Sequence, residues 1–174
     1  KLLNNQSPSS IFIGTHGFFF PSPQSNRQFA GNVYARDANP LLRSGLILSG
    51  GNYAWSGKKP IDGIEDGVVT AYEISQLNLS NTKLVVLSAC ETGLGDVNAT
   101  EGVFGLQRAF KLAGVNKLIV SLWKVPDKET AELMKIFYTQ LLAGNSIEKA
   151  FATAKAKMRK KYSPYYWAAF VLVE

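Results

Sequence analysis

The chain carries one histidine, His16, and one cysteine, Cys90, and each follows an apolar run. Ile11-Phe12-Ile13-Gly14-Thr15 leads into His16, and Leu84-Val85-Val86-Leu87-Ser88-Ala89 leads into Cys90. The thiolate is the nucleophilic form of cysteine, and a free thiol with a pKa of about 8.5 is only a few per cent ionised at neutral pH. An imidazole within reach accepts the thiol proton and later returns one to a leaving amine. Attack on an amide also needs donors for the tetrahedral oxyanion. Gly17, directly after His16, has no side chain to keep its N–H from a substrate, and the N–H of Cys90 is a candidate second donor. A lone cysteine is more often a small buried apolar residue, and a lone histidine is more often structural. Position in the fold must therefore decide.

Three further apolar runs accompany these two: Leu46-Ile47-Leu48, closed by Gly50-Gly51; Leu118-Ile119-Val120-Ser121-Leu122; and Ala168-Ala169-Phe170-Val171-Leu172-Val173. Continuous apolar runs suit strands covered on both faces, as in parallel sheets. Helical spacing separates them. The pattern predicts helices over 69–77, over 103–113 with Thr100 as cap and Gly114 as stop, over 128–142, and from Ile147 through Met158. This alternation is that of an α/β protein. His16 and Cys90 would then both stand at strand C-terminal ends, the edge where open α/β sheets bind ligands. The stretches 17–43 and 50–67, rich in Pro, Gly, Ser and Asn, resist assignment.

With 174 residues, 46% hydrophobic and 18% charged, the chain reads as one globular domain over 1–174. No apolar run approaches the roughly 20 residues of a membrane helix, and residues 1–10 lack a signal-peptide core. Together with the free thiol, this points to the cytoplasm. Lys1 in place of an initiator methionine suggests a piece of a longer protein. One His and one Cys do not furnish the usual ligand set, so no metal and no cofactor is expected. The net charge is +6, with excess in Lys155, Lys157, Arg159, Lys160 and Lys161. Cations suit the negative end of a helix. The absence of interleaved aromatic residues argues against direct nucleic-acid binding.

Thr-His-Gly-Phe-Phe at 15–19 and Val-Val-Leu-Ser-Ala-Cys-Glu-Thr-Gly at 85–93 resemble the two signature blocks of CHAT domains. Asn39-Pro40-Leu41-Leu42-Arg43-Ser44-Gly45-Leu46, Glu101-Gly102-Val103-Phe104-Gly105-Leu106, Ser121-Leu122-Trp123-Lys124-Val125-Pro126-Asp127 and Pro164-Tyr165-Tyr166-Trp167-Ala168-Ala169-Phe170 extend the likeness in the same order. The resemblance implies a caspase-like α/β/α sandwich with a mostly parallel central sheet. Residues 1–174 would be its C-terminal catalytic portion, with further strands of the domain ahead. It implies a cysteine endopeptidase acting through a thioester, with His16 as base, Cys90 as nucleophile, and the Gly17 and Cys90 N–H groups at the oxyanion. The implied partners are a protein or peptide substrate, the preceding N-terminal segment, tetratricopeptide repeats and an activating partner, with no membrane.

The sequence departs from true caspases. Ser-Ala-Cys-Glu-Thr replaces the caspase Gln-Ala-Cys-x-Gly pattern, and His16 lies further upstream than the roughly 50 residues typical there. Relatives that cleave after basic residues place an acid two positions before the cysteine, where this chain has Ser88. Candidate pocket residues are Ser88, Glu91, Trp123 and Asp127, with Asp96 nearby in sequence. Glu91 alternatively fixes the loop after the nucleophile, Trp123 packs in a core, and Asp127 caps a helix beginning at Lys128. A basic residue before the scissile bond is preferred, with an apolar one left open. The loop 95–100 is either a mobile activation segment or a turn into the next helix. Two other functions remain: a scaffold module of the same fold without catalysis, and a nucleotide site at Gly93-Leu94-Gly95-Asp96. The latter lacks the phosphate-loop lysine.

Overall fold

The strand Leu84–Ser88 (β5) shows why a sheet covered on both sides forms here. Its first four side chains are all buried, and they alternate between two separate cores as strand geometry requires. Val85 and Leu87 join a core with Leu106, Ala109 and Phe110, whereas Leu84 and Val86 join one with Leu133, Phe137 and Phe151. The result is an α/β/α sandwich. This arrangement is seen in a computed structural model that describes residues 7–21, 32, 34–56, 58, 63, 65–88 and 99–174.

The central sheet has the order β1 (Ser10–Gly14), β5, β6 (Lys117–Ser121), β7 (Phe170–Val173). β1, β5 and β6 are mutually parallel. β7 runs antiparallel to β6, so the last apolar run belongs to an antiparallel edge. Helices α2 (Ala71–Ser75) and α3 (Ala99–Leu112) pack on one face, and α4 (Asp127–Leu142) and α5 (Ile147–Arg159) on the other.

The Leu46 run does not enter this sheet. It forms β3 (Ser44–Ile47) in a separate antiparallel sheet between β2 (His16–Phe19) and β4 (Val68–Thr70). Sequence blocks that carry no chemistry hold this small sheet together. Asn39 accepts the Leu41 N–H on its side-chain oxygen (3.0 Å). Arg43, only 8% exposed, donates to the Phe20 carbonyl (3.0 Å). Gly45 is glycine because a Cβ there would lie 2.7 Å from the Phe18 ring and against the Val69 carbonyl. Gly105 lets α3 approach, since its Cβ would meet the Ser44 hydroxyl at 2.8 Å. Trp55, in the short helix α1 (Asn52–Trp55), stacks on Phe20 (5.6 Å between ring centres) and leans on Phe18 (5.1 Å).

Helix ends differ from the sequence expectation in informative ways. The 69–77 segment splits, because Val68–Thr70 pairs with β3 and α2 begins only at Ala71. Thr70 is its cap, accepting the Glu73 N–H (3.2 Å) while the Glu73 carboxylate accepts the Thr70 N–H (2.7 Å). α3 begins at Ala99, which places Thr100 inside the helix rather than at its cap. α4 begins at Asp127, with Pro126 in the cap position and no side-chain cap.

Lys157 and Arg159 sit in the last turn of α5, as cations near the negative end of a helix dipole should. Lys155 does not belong with them. It is half-buried, donates to the Phe170 carbonyl (2.8 Å) and lies over the Phe151 and Trp167 rings, and burial lowers its pKa.

Lys117 joins Glu148 of α5 to Glu174. The Lys117 hydrogen bond, followed by one from Ser146, pulls the Glu148 carboxyl down to about 2. A depressed carboxylate stabilises the fold fully above its ordinary value of 4.5 and loses that contribution as pH falls toward 2. Glu148→Gln should therefore flatten the decline of Tm across this acid window at low salt. A decline identical to that of the parent would show that the pair contributes nothing.

Candidate active site

Parallel pairing brings the ends of β1 and β5 together, with Gly14 opposite Ser88. Thr15 alone separates Gly14 from His16, which starts β2 instead of ending the preceding strand. The Thr15 hydroxyl donates to the Ile47 carbonyl, and Ile47 is also the β3 partner of His16. The exposed His16 thus stands where the parallel sheet hands over to the hairpin.

Beside it opens a cavity of about 390 Å³. Gly14, Thr15 and Ser88 line it from the strand ends, and His16 from the hairpin. Lys124 and Val125 contribute from the β6–α4 connection, and Asp127 and Thr130 from the first turn of α4. Of the residues expected from sequence, His16, Ser88 and Asp127 therefore share one cavity. Asp127 is not the helix cap, so its carboxylate is not committed to backbone N–H groups. Trp123 does not line the cavity. It is 38% exposed, with its indole N–H donating to the Tyr165 carbonyl (3.0 Å), while the Tyr165 hydroxyl donates to the Lys124 carbonyl (2.8 Å). Cys90, Glu91, the Gly93–Asp96 run and the 95–98 loop lie outside the described residues.

Gly17 is buried in β2. The Phe20 N–H bonds the Arg43 carbonyl (2.8 Å), which fixes the alternation along the β2–β3 pair. Counting back by twos, His16 and Phe18 exchange ladder bonds with β3, and Gly17, opposite Leu46, does not. The Gly17 N–H is accordingly turned away from β3.

Lys124, Val125 and Thr130 were not singled out by sequence reasoning. Lys124 and Val125 fall inside the block that ends at Asp127, which was a usable signal. Thr130 is one helical turn beyond Asp127, on the same face. A second hollow, of about 300 Å³, is lined by Tyr34, Asp37, Asp66 and Glu73, among others. Its carboxylates are already engaged. Asp66 accepts from the Tyr34 hydroxyl (3.2 Å) and the Val68 N–H (2.9 Å), Asp37 from the Asn39 N–H (2.8 Å), and Glu73 caps α2. Burial, reinforced by Asp66, pushes the Tyr34 phenol up to about 12. Among the described residues, no group of three or more His, Cys, Asp or Glu could hold a metal ion. None of their helices is long and apolar enough to cross a membrane.

These features define a mixed α/β protein with its candidate site at the C-terminal edge of a mostly parallel sheet. The CHAT domain family model matches residues 1–174, and the chain belongs to that family, which is part of the caspase-like peptidase superfamily. Among curated proteins it is similar to mouse tetratricopeptide repeat protein 28, 36% identical over 109 residues, covering 61% of this chain and 4% of that protein. The human protein of the same name is 34% identical over 113 residues, covering 63% and 4%. The chain thus matches only about 4% of the length of these relatives.

Proposed function

We propose that this chain is a cysteine endopeptidase, with His16 as general base and acid and Cys90 as nucleophile. The observation that carries the reading is the pairing of Gly14 with Ser88 beside a cavity shared by His16 and Ser88. Cys90 follows Ser88 by two positions in the sequence. In the first half-reaction the Cys90 thiol gives its proton to His16, and its sulfur attacks the scissile carbonyl carbon. The Gly17 and Cys90 N–H groups stabilise the oxyanion. The imidazolium then protonates the leaving amine, the C–N bond breaks, and a thioester remains. Water, deprotonated by His16, attacks the thioester, releasing the new carboxylate and restoring the thiol.

Asp127 supports a cationic side chain before the scissile bond, since its carboxylate lines the cavity free of a capping role. Profiling a peptide library with the parent and with Cys90→Ala tests both claims. Asp127→Asn should lower kcat/KM for Arg- or Lys-containing substrates by about 10–100-fold, the scale of one charge-assisted hydrogen bond, and leave uncharged substrates within a few-fold. Turnover by Cys90→Ala equal to that of the parent would remove the thiol from the mechanism.

A scaffold role without catalysis is the second reading. It is favoured by relatives that are named as tetratricopeptide repeat proteins, since such repeats suit protein binding. A silent peptide library together with ordinary thiol reactivity at Cys90 would support it.

A further inference from the structure

We infer that Tyr165 is a positioning residue of this site, holding the cavity wall made by Lys124 and Val125; the inference rests on the peptidase reading above. That wall belongs to the connection between β6 and α4, and the connection is anchored on both sides. The Leu122 N–H bonds the Ala169 carbonyl (2.9 Å), and Val125, 2% exposed, is plugged into the core with Phe137 and Phe170. Between these anchors Trp123 and Lys124 rise to the surface, outside any helix or strand. Side chains hold the backbone there. The Ser121 hydroxyl donates to the Trp123 carbonyl (2.6 Å), and the Tyr165 hydroxyl donates to the Lys124 carbonyl (2.8 Å). The Trp123 indole N–H returns a bond to the Tyr165 carbonyl (3.0 Å), so the two residues form a reciprocal clamp.

Tyr165 itself stands on a firm base. It is the middle residue of a 3₁₀ turn, Pro164–Tyr166, closed by the Trp167 and Ala168 N–H groups on the Pro164 carbonyl (3.2 and 2.8 Å). Its ring meets Tyr166 edge-on (5.3 Å between ring centres), and Tyr166 packs against the core under α4 and α5. Tyr165 is nevertheless 52% exposed, so removing its hydroxyl costs the fold little. What the hydroxyl fixes is the carbonyl of a residue that lines the cavity shared by His16 and Asp127. His16 and Ser88 come from other strands, and they stay in place when the clamp opens. Its loss therefore reads in substrate binding and not in the chemical step.

The test uses the full chain and a peptide that the parent cleaves. Tyr165→Phe removes the hydroxyl and keeps the ring; Trp123→Phe removes the returning bond. Each should raise KM by about 3–10-fold, the scale of one hydrogen bond, with kcat within about 2-fold and Tm within about 3 °C. The double variant should do no more than the stronger single one, because the two bonds act as one unit. A parental KM in Tyr165→Phe, or a loss of activity that tracks a fall in Tm, would overturn the inference. Solvent exchange of the Trp123 indole N–H, followed by NMR on tryptophan-labelled protein, reads the clamp without any peptide. It should be about 3–10-fold faster in Tyr165→Phe. If no peptide is cleaved, faster exchange still supports the clamp and the failure falls on the peptidase reading. An unchanged exchange rate overturns the role of Tyr165 in either case.

Discussion

His16→Ala should lower kcat/KM for a cleaved peptide by about 10²–10⁴-fold, the usual contribution of a positioned acid–base group. The same substitution should slow alkylation of Cys90 at neutral pH. The two readouts answer different questions. Loss of turnover shows that the imidazole is needed somewhere in the cycle, and slower alkylation shows that it acts on the thiol itself, by raising the thiolate fraction. His16 is exposed, and its backbone is held by β3, so truncation to alanine leaves the pairing intact and unfolding should not mimic the effect. Equal alkylation rates in the two proteins would falsify the dyad.

Phe137→Ala should cost about 3–5 kcal/mol of stability, as aromatic truncations in cores do. Phe137 is 0% exposed. It meets Phe151 edge-on (6.1 Å between ring centres) and Tyr138 similarly (5.0 Å), and shares a core with Leu84, Val86 and Ile119 from the sheet. It therefore holds α4 and α5 to that face at once, and little can collapse into the space it leaves. Urea titration should show a lower midpoint with an unchanged slope. A loss below about 1 kcal/mol would mean that this layer repacks around the void. Because α4 also carries Asp127 and Thr130 at its start, residual activity below the new midpoint should keep the parent's substrate preference.

The strands that build the central sheet were readable because their burial on both faces leaves long apolar runs; β1, β5 and β6 stand where those runs predicted. The Leu46 run misled because apolar continuity reports burial, not the direction of the neighbouring strand. What sends β3 into its own sheet is the fit of Phe18 against Gly45 and of α3 against Ser44, contacts that no periodicity encodes. Of the candidate site residues, His16, Ser88 and Asp127 are suggested by type and position in the sequence, and the structure brings them to one cavity. The capping role suggested for Asp127 was not realised, because Pro126 occupies the cap position. The bond from Tyr165 to Lys124 was invisible for a different reason: it spans 41 residues, and sequence spacing cannot reveal it. Lys155 likewise reads as one more surface cation until the Phe170 carbonyl and two aromatic rings are seen around it.

One junction has a mechanical consequence. A single threonine couples the strand that ends in the broad sheet to the strand that opens the smaller one, so the imidazole is carried by the smaller sheet while Ser88 belongs to the broad one. Leu46 shares a core with Val85, Leu106 and Phe110, and Ser44 sits against Gly105 of α3, so the seating of the small sheet on α3 sets where His16 stands relative to Ser88.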